Sequence, residues 1–117
     1  MILVKKTDPI SLEILDTMAQ KMYGHLVKAV VDIEQKIMFV DADFHADEEQ
    51  VLLEDYASQQ KDLWGINFHP SKRGTPDFIE FDSMINLRPS MGNKTRGVDD
   101  LKIQAIIREI VDMLVVS

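Results

Sequence analysis

The connection between two apolar segments in the first half of the chain is only three residues long. Residues 26–33 (LVKAVVDI) are rich in valine, and residues 37–41 (IMFVD) follow directly after Glu34, Gln35 and Lys36. Parallel strands need a crossover of a dozen or more residues, whereas antiparallel strands can be joined by a tight turn. The pair therefore predicts an antiparallel hairpin, although it lacks the Asn-Gly turn signal.

Two helices are predicted from capping residues and apolar spacing. Asp8, followed by proline, is typical of a helix start, and Gly24 is typical of a helix end. Asp47 and Gln50 form a capping box at the start of the second helix, which we expect to end near Ser58. Leucines and methionines on one side of each helix predict that this side is buried.

The remaining segments predict three strands and a last helix. Residues 1–5, 63–69 and 78–88 have strand character, and the second and third of these segments alternate between apolar and polar residues. Asp99 or Asp100 caps the last helix. Its apolar stripe consists of Ile103, Ile106, Ile107, Ile110 and Leu114.

These elements predict one domain over residues 1–117, in the order β-α-β-β-α-β-β-α. A hydrophobic content of 45% with 28% charged residues is typical of a globular protein. Short connections favour an α+β fold, with a mainly antiparallel sheet of about four or five strands. We expect the helices to pack on one face of this sheet and the other face to contact water.

Composition excludes several classes of protein. The chain has no cysteine, so disulfides and thiolate chemistry are absent. A net charge of -7 argues against a general nucleic-acid binder, which would be basic. No apolar run reaches the ~18 residues that would span a bilayer. We expect a cytoplasmic protein without a membrane partner and without a cofactor.

Charge is distributed unevenly along the chain. Residues 72–96 contain five basic and three acidic side chains, whereas residues 41–55 contain seven acidic side chains and no lysine or arginine. A local excess of positive charge can attract anions even when the whole protein is acidic. Residues 72–96 therefore suggest an anion-binding region.

The alternation in residues 78–88 predicts a polar strand face. Glu80, Asp82, Asn86 and Arg88 share this face, and Ile79, Phe81, Ile85 and Leu87 share the apolar one. We expect two residues of the neighbouring strand, Asn67 and His69, to line the same polar face. Such a face is either a binding site or an ordinary solvated sheet surface.

The leading hypothesis is an anion site centred on Arg88, whose guanidinium suits carboxylates and phosphates. We expect contributions from the start of the last helix and from Asn67, Asn86, Asn93, Lys94 and Arg96. As an alternative, Arg88 pairs with Glu80 or Asp82 and only orders the sheet. Asp99 and Asp100 could also satisfy the amides at the helix start themselves.

A second candidate site lies in residues 41–47 (DADFHAD). Asp41, Asp43, His45 and Asp47 stand at alternate positions and suit Mg²⁺ or Mn²⁺ better than Zn²⁺. Each has an alternative role, since Asp47 can cap a helix, His45 can bond a backbone carbonyl, and the other two can be solvated. We therefore expect no metal, with these four residues as the weaker alternative.

Several separated motifs resemble those of one small bacterial and archaeal family, which is known only as a domain of unknown function. They are residues 27–33, His45-Ala-Asp47, Trp64-Gly-Ile-Asn67, residues 79–89 and Gly92-Asn93. The resemblance extends over nearly the whole chain and implies no activity. It also implies glycine or variable residues at positions 41 and 43, so a metal site there would be particular to this protein.

Two functional classes follow from these observations. The first is a binding module for a partner protein or a small anionic ligand, acting through the polar face and residues 88–97. The alternative is a hydrolase or phosphoryl-handling enzyme that uses Glu80, Asp82, His69 and Arg88. Phe78 and Met84 interrupt the polar face and predict a homodimer contact.

Overall fold

The computed structural model describes residues 1–22 and 24–117. Its main element is a five-stranded sheet, accompanied by three helices and a separate pair of short strands. Along the chain the elements are β1 (Ile2–Val4), β2 (Ile10–Ser11), α1 (Leu12–Lys21), β3 (Val27–Asp32), β4 (Ile37–Val40), α2 (His45–Asp55), β5 (Leu63–Phe68), β6 (Ile79–Glu80), α3 (Leu101–Leu114) and β7 (Val115–Val116).

The fold is α+β, and its five-stranded sheet is antiparallel throughout. The spatial order is β1-β4-β3-β5-β6, and each neighbouring pair is antiparallel. The predicted hairpin is the β3–β4 pair, in which Asp32 lies opposite Ile37. The short strands β2 and β7 pair in parallel apart from this sheet. The predicted fold class and hairpin are therefore confirmed, and β2 and β7 are additional elements.

The helix starts differ from two of the three predictions. The N-cap of α1 is Ser11, whose Oγ accepts a hydrogen bond from the amide of Ile14 at 3.1 Å, so Asp8 is not its cap. The helix α2 begins at His45, two residues before the predicted cap Asp47. The prediction for α3 is confirmed, because the Asp100 carboxylate accepts from the amide of Lys102 at 2.8 Å.

Helices cover both faces of the sheet, which corrects the expectation of helices on one face. On one face, α1 and α3 pack against the core that contains Val31, Trp64 and Ile66. On the other face, Leu52 of α2 packs against Val30. The adjacent residues Val30 and Val31 are therefore both buried, one on each face of the sheet. Apolar residues on both sides of a strand are typical of a strand covered on both faces.

The predicted strand over residues 78–88 ends at Glu80. Residues beyond it form turns at Met84–Asn86 and Pro89–Met91. Ile79 therefore packs into the core beside α3, whereas Ile85 packs into the core beside α2. The predicted division of residues 79–88 into one apolar and one polar face is wrong, because the chain changes sides of the sheet.

The chain passes over strand β5 at Gly65, and residues 83–93 are called the crossing segment. A Cβ atom at this position would lie 2.5 Å from Cβ of Ser83 and 3.2 Å from Cγ1 of Ile85. Real Cβ atoms do not approach neighbours this closely, so the glycine makes room for the crossing segment. In the described part of the chain, no helix has the length and apolar composition needed to cross a membrane.

Candidate functional site

The nine predicted ligand-binding residues fall into separate places. Three of them are buried in the crossing segment, five line an open cleft, and Lys94 is exposed and belongs to neither group. The buried three are Asn86, Arg88 and Asn93. Five others line one open cleft: Asn67, His69, Glu80, Asp82 and Arg96.

Asn86 takes the place of a missing strand. Beyond the end of β6, the amide of Gly65 donates to Oδ1 of Asn86 at 2.8 Å, and Nδ2 of Asn86 donates to the carbonyl of Gly65 at 2.9 Å. The same Nδ2 donates to the carbonyl of Arg96 at 2.9 Å. The side chain is fully buried and its hydrogen bonds are satisfied internally, so it has a structural role.

Arg88 is also occupied by the backbone. Its guanidinium donates to the carbonyls of Gln60 and Leu63, the latter at 2.7 Å, and lies 4.2 Å from the centre of the Trp64 ring. Burial lowers the pKa of Arg88. The expected pairing with a neighbouring carboxylate is therefore replaced by carbonyl contacts, and the guanidinium lies away from the cleft.

Asn93 holds residues 88–97 together. Its Nδ2 donates to the carbonyl of Asn86 at 2.7 Å and to that of Gly97 at 2.8 Å, and its Oδ1 accepts from the amide of Asp99 at 2.8 Å. The Asp99 carboxylate in turn accepts from the amide of Lys94 at 2.7 Å. Of the two acids expected to satisfy amides at the start of α3, Asp100 does so by accepting from the amide of Lys102, whereas the Asp99 carboxylate binds the loop instead.

The cleft has a volume of about 520 Å³ and lies between β6 and the start of α2. On the β6 side, Oε1 of Glu80 accepts from Nδ2 of Asn67 at 3.0 Å and from Nε2 of His69 at 3.2 Å. Burial disfavours ionisation of Glu80, but these hydrogen bonds outweigh it and lower the pKa of Glu80. Asp82 forms an ion pair with Arg96 at 2.8 Å. Both carboxylates on this side therefore already have partners.

On the opposite side, His45 is the first residue of α2. Its Nε2 lies 2.8 Å from the carbonyl of Ile66, which can only accept, so this nitrogen carries a proton. Burial lowers the pKa of His45, and the charge of Lys28 contributes to the shift. The imidazole is therefore neutral at pH 7, with a lone pair on Nδ1.

The start of α2 lines the cleft through Phe44, His45 and Ala46. Phe44 is its N-cap and supplies no side-chain acceptor to the first amides of the helix. Nζ of Lys28 donates to the carbonyl of Asp43 at 3.0 Å and lies 5.5 Å from the centre of the Phe44 ring. A helix start without a capping side chain, next to an ammonium group, favours an anion.

The weaker metal alternative has no geometric support. Across residues 1–22 and 24–117, no three His, Asp or Glu side chains converge to hold a metal ion. Asp41, Asp43, His45 and Asp47 therefore do not form one site. The backbone of Asp41 has a φ of 73°, a conformation that glycine adopts most easily.

The residues predicted to anchor a homodimer differ in exposure. Phe78 is buried, and the centre of its ring lies 5.3 Å from that of Phe68, so it cannot anchor a surface contact. Met84 is 62% exposed and lies at the edge of the cleft, across from Phe44, which is 63% exposed. The edge of the cleft is therefore apolar.

Residues 3–114 match the protein family described as protein of unknown function (DUF5674). The chain belongs to this family. None of the curated proteins and none of the solved structures matches it. Membership of DUF5674 agrees with the resemblance to a domain of unknown function and assigns no activity.

Sequence reasoning missed Lys28 as a residue of the cleft in this DUF5674 protein. Lys28 stands between Val27 and Ala29, so alternation along the strand places it on the face opposite these two core residues. The alternation that places Lys28 on this face was therefore visible in the sequence. The position of Phe44 carried no such signal, because it depends on where α2 begins.

Glu48 is a buried acid within the acidic run of residues 41–55. Its Oε2 accepts from the amide of Ala42 at 3.2 Å, and its Oε1 has no hydrogen-bond partner among the described residues. The side chain is fully buried between His45 and Leu52 on the inner side of α2. Burial raises the pKa of Glu48 to about 10, so the carboxyl is protonated at neutral pH.

The raised pKa predicts that Glu48 makes the protein less stable as pH rises. Between its ordinary pKa of 4.5 and its folded pKa of about 10, the folded state keeps a proton that the unfolded state releases. The contribution of Glu48 to stability is therefore greatest below pH 4.5 and is lost progressively up to about pH 10. Glu48→Gln removes this titration, and its advantage over the parent should grow on the order of a few kcal/mol between pH 5 and 9.

Thermal unfolding of both proteins over this pH range measures the difference. Glu54→Gln, which removes an exposed carboxylate from the same helix, serves as the control and should follow the parent. Parallel curves for the parent and Glu48→Gln would show that Glu48 is not buried in its neutral form.

Proposed function

We propose that this protein is a binding module for a small ligand with an anionic group, which occupies the cleft between α2 and β6. The observation that carries the proposal is the start of α2. There an N-cap without a side-chain acceptor lies beside Lys28 and the neutral His45. A carboxylate or phosphate at this position would accept hydrogen bonds from the first amides of the helix.

The acidic side chains of the cleft do not prevent binding of an anion. Glu80 accepts hydrogen bonds from Asn67 and His69, and Asp82 is paired with Arg96. Their charges are therefore partly compensated on the side away from α2. This side offers hydrogen-bond acceptors to a hydroxyl or amino group elsewhere on the ligand.

Apolar side chains at the edge of the cleft suit the remainder of the ligand. Phe44 and Met84 are largely exposed, and Leu26 and Ile85 also line the cleft. Sites for small molecules usually combine apolar walls with a few converging polar groups. A partner protein that inserts an acidic side chain would use the same groups.

Lys28→Met should abolish or strongly weaken the response to an anionic ligand. A specific ligand raises the melting temperature of the parent by mass action, and at 100 times its Kd the stabilisation is about 2.7 kcal/mol. Phosphate, nucleotides and small carboxylates are titrated while melting is followed. We expect at least a tenfold loss of affinity in Lys28→Met.

Two control variants make the experiment specific. Lys36→Met removes the same charge from an exposed turn outside the cleft and should respond like the parent. Arg88→Met should lower the melting temperature but keep the ligand response, because Arg88 contacts backbone carbonyls outside the cleft. Loss of the response in Arg88→Met, with a normal response in Lys28→Met, would place the site in residues 88–97 instead.

A second candidate function is hydrolysis or phosphoryl transfer in the same cleft. It rests on the contact of 3.2 Å between Nε2 of His69 and Oε1 of Glu80, since a carboxylate that orients an imidazole favours general acid–base catalysis. Asp82 lines the same cleft. Arg88 was part of the predicted catalytic set, but it lies outside the cleft and has no role in this enzymatic proposal.

The enzymatic alternative predicts turnover that depends on His69. With p-nitrophenyl phosphate and p-nitrophenyl acetate as probes, His69→Asn should lower the rate by about 10²–10⁴-fold. The exposed His25 provides the control variant His25→Asn, which should keep the rate of the parent. Equal rates in all three proteins, or none in the parent, would leave ligand binding as the function of the cleft.

A further inference from the structure

A second cavity, separate from the cleft, lies between the loop after β5 and the helix α3. It has a volume of about 310 Å³ and shares no lining residue with the cleft. Two arginines from distant parts of the chain line it: Arg73 in the loop and Arg108 on α3. The fold therefore brings two like charges to one cavity.

Both guanidinium groups are held against aromatic rings. The guanidinium carbon of Arg73 lies 4.9 Å from the centre of the Phe78 ring, and that of Arg108 lies 5.1 Å from the centre of the Phe81 ring. The Phe78 ring is buried in the core beside α3, and the partly buried Phe81 ring packs against this core, so both support the arginines. A stacked guanidinium uses its face for the ring and keeps the N–H groups at its edge for an acceptor.

Neither arginine has an acidic partner among the described residues. Within the described ranges 1–22 and 24–117, no carboxylate oxygen lies within 4.0 Å of a guanidinium nitrogen of Arg73 or Arg108. Asp112 also lines the cavity but lies beyond this distance. Two cations without close counterions repel each other, and an anion between them would relieve the repulsion.

We propose that this cavity is a binding site for a phosphate monoester. A carboxylate has two oxygens, which one guanidinium can satisfy through paired hydrogen bonds. A phosphate dianion presents three terminal oxygens in a tetrahedral arrangement, so it can accept from two guanidinium groups on different elements at once. The two arginines thus favour phosphate over carboxylate, and this inference is independent of the function proposed for the cleft.

Phenyl phosphate tests the site, and benzoate is the carboxylate comparison. The Nε–H signals of the arginines are followed by ¹H–¹⁵N NMR during titration. Phenyl phosphate should shift the signals of Arg73 and Arg108 saturably, and benzoate should bind at least tenfold more weakly. Equal affinity for both compounds would overturn the assignment to phosphate.

Variants separate the site from general charge effects. Arg73→Gln and Arg108→Gln should each weaken phenyl phosphate at least tenfold, and Asp112→Asn should tighten it by removing a nearby negative charge. Lys102→Gln is the matched control, because Lys102 is an exposed cation of α3 that lines neither this cavity nor the cleft, and it should leave the affinity within twofold of the parent. The absence of a saturable shift, or an equal loss in Lys102→Gln, would show that the two arginines form no phosphate site.

Discussion

The edge of β5 beyond the end of β6 is closed by side chains instead of a strand. The backbone of Gly65 forms two hydrogen bonds with the side-chain carboxamide of Asn86, and the carbonyl of Leu63 accepts from the guanidinium of Arg88. A buried backbone group without a partner costs about 1–3 kcal/mol, so these contacts allow the strand pairing to end early. The chain is then free to turn across the sheet at Gly65, which has no side chain to obstruct it.

This crossing produces the cleft. Residues 83–85 leave the edge of the sheet and form one wall, and the start of α2 forms the opposite wall. The buried side of α2 changes along its length, with His45 and Glu48 near its beginning and the apolar Leu52 farther along. Leu52 packs into the core beneath the helix, whereas His45 lines the cleft. The polar side chains on the buried side of α2 are therefore concentrated at the beginning of the helix, next to the cleft.

The sequence predicted what local patterns determine. The valine-rich hairpin and a cap at Asp99 or Asp100 follow from spacing and side-chain chemistry, and the structure contains both, with Asp100 as the cap. The stripe of α3 is confirmed except at Ile106, which is 39% exposed. Covering of both sheet faces was also detectable, because Val30 and Val31 are adjacent apolar residues in one strand. The family match adds membership without an activity.

The roles of the polar residues in the crossing segment could not be predicted from local patterns. Alternation over residues 79–88 is equally compatible with a continuous strand and with a chain that leaves the sheet. The difference depends on Gly65, 21 residues before Asn86, and on the hydrogen bonds between these two residues. Arg88 suggested an anion site because its chemistry suits anions, yet backbone carbonyls suit a guanidinium equally well.

Native-state hydrogen exchange at the amide of Gly65 tests whether the Asn86 side chain closes the edge of β5. This amide donates to the Asn86 side chain at 2.8 Å under the crossing segment, so its exchange should require an opening as costly as that of the β3–β5 ladder. We expect protection of the Gly65 amide close to that of Val30, which lies opposite it in the ladder. Exchange of Gly65 as fast as that of the exposed loop residue Gly74 would contradict it, because the edge of β5 would then be open.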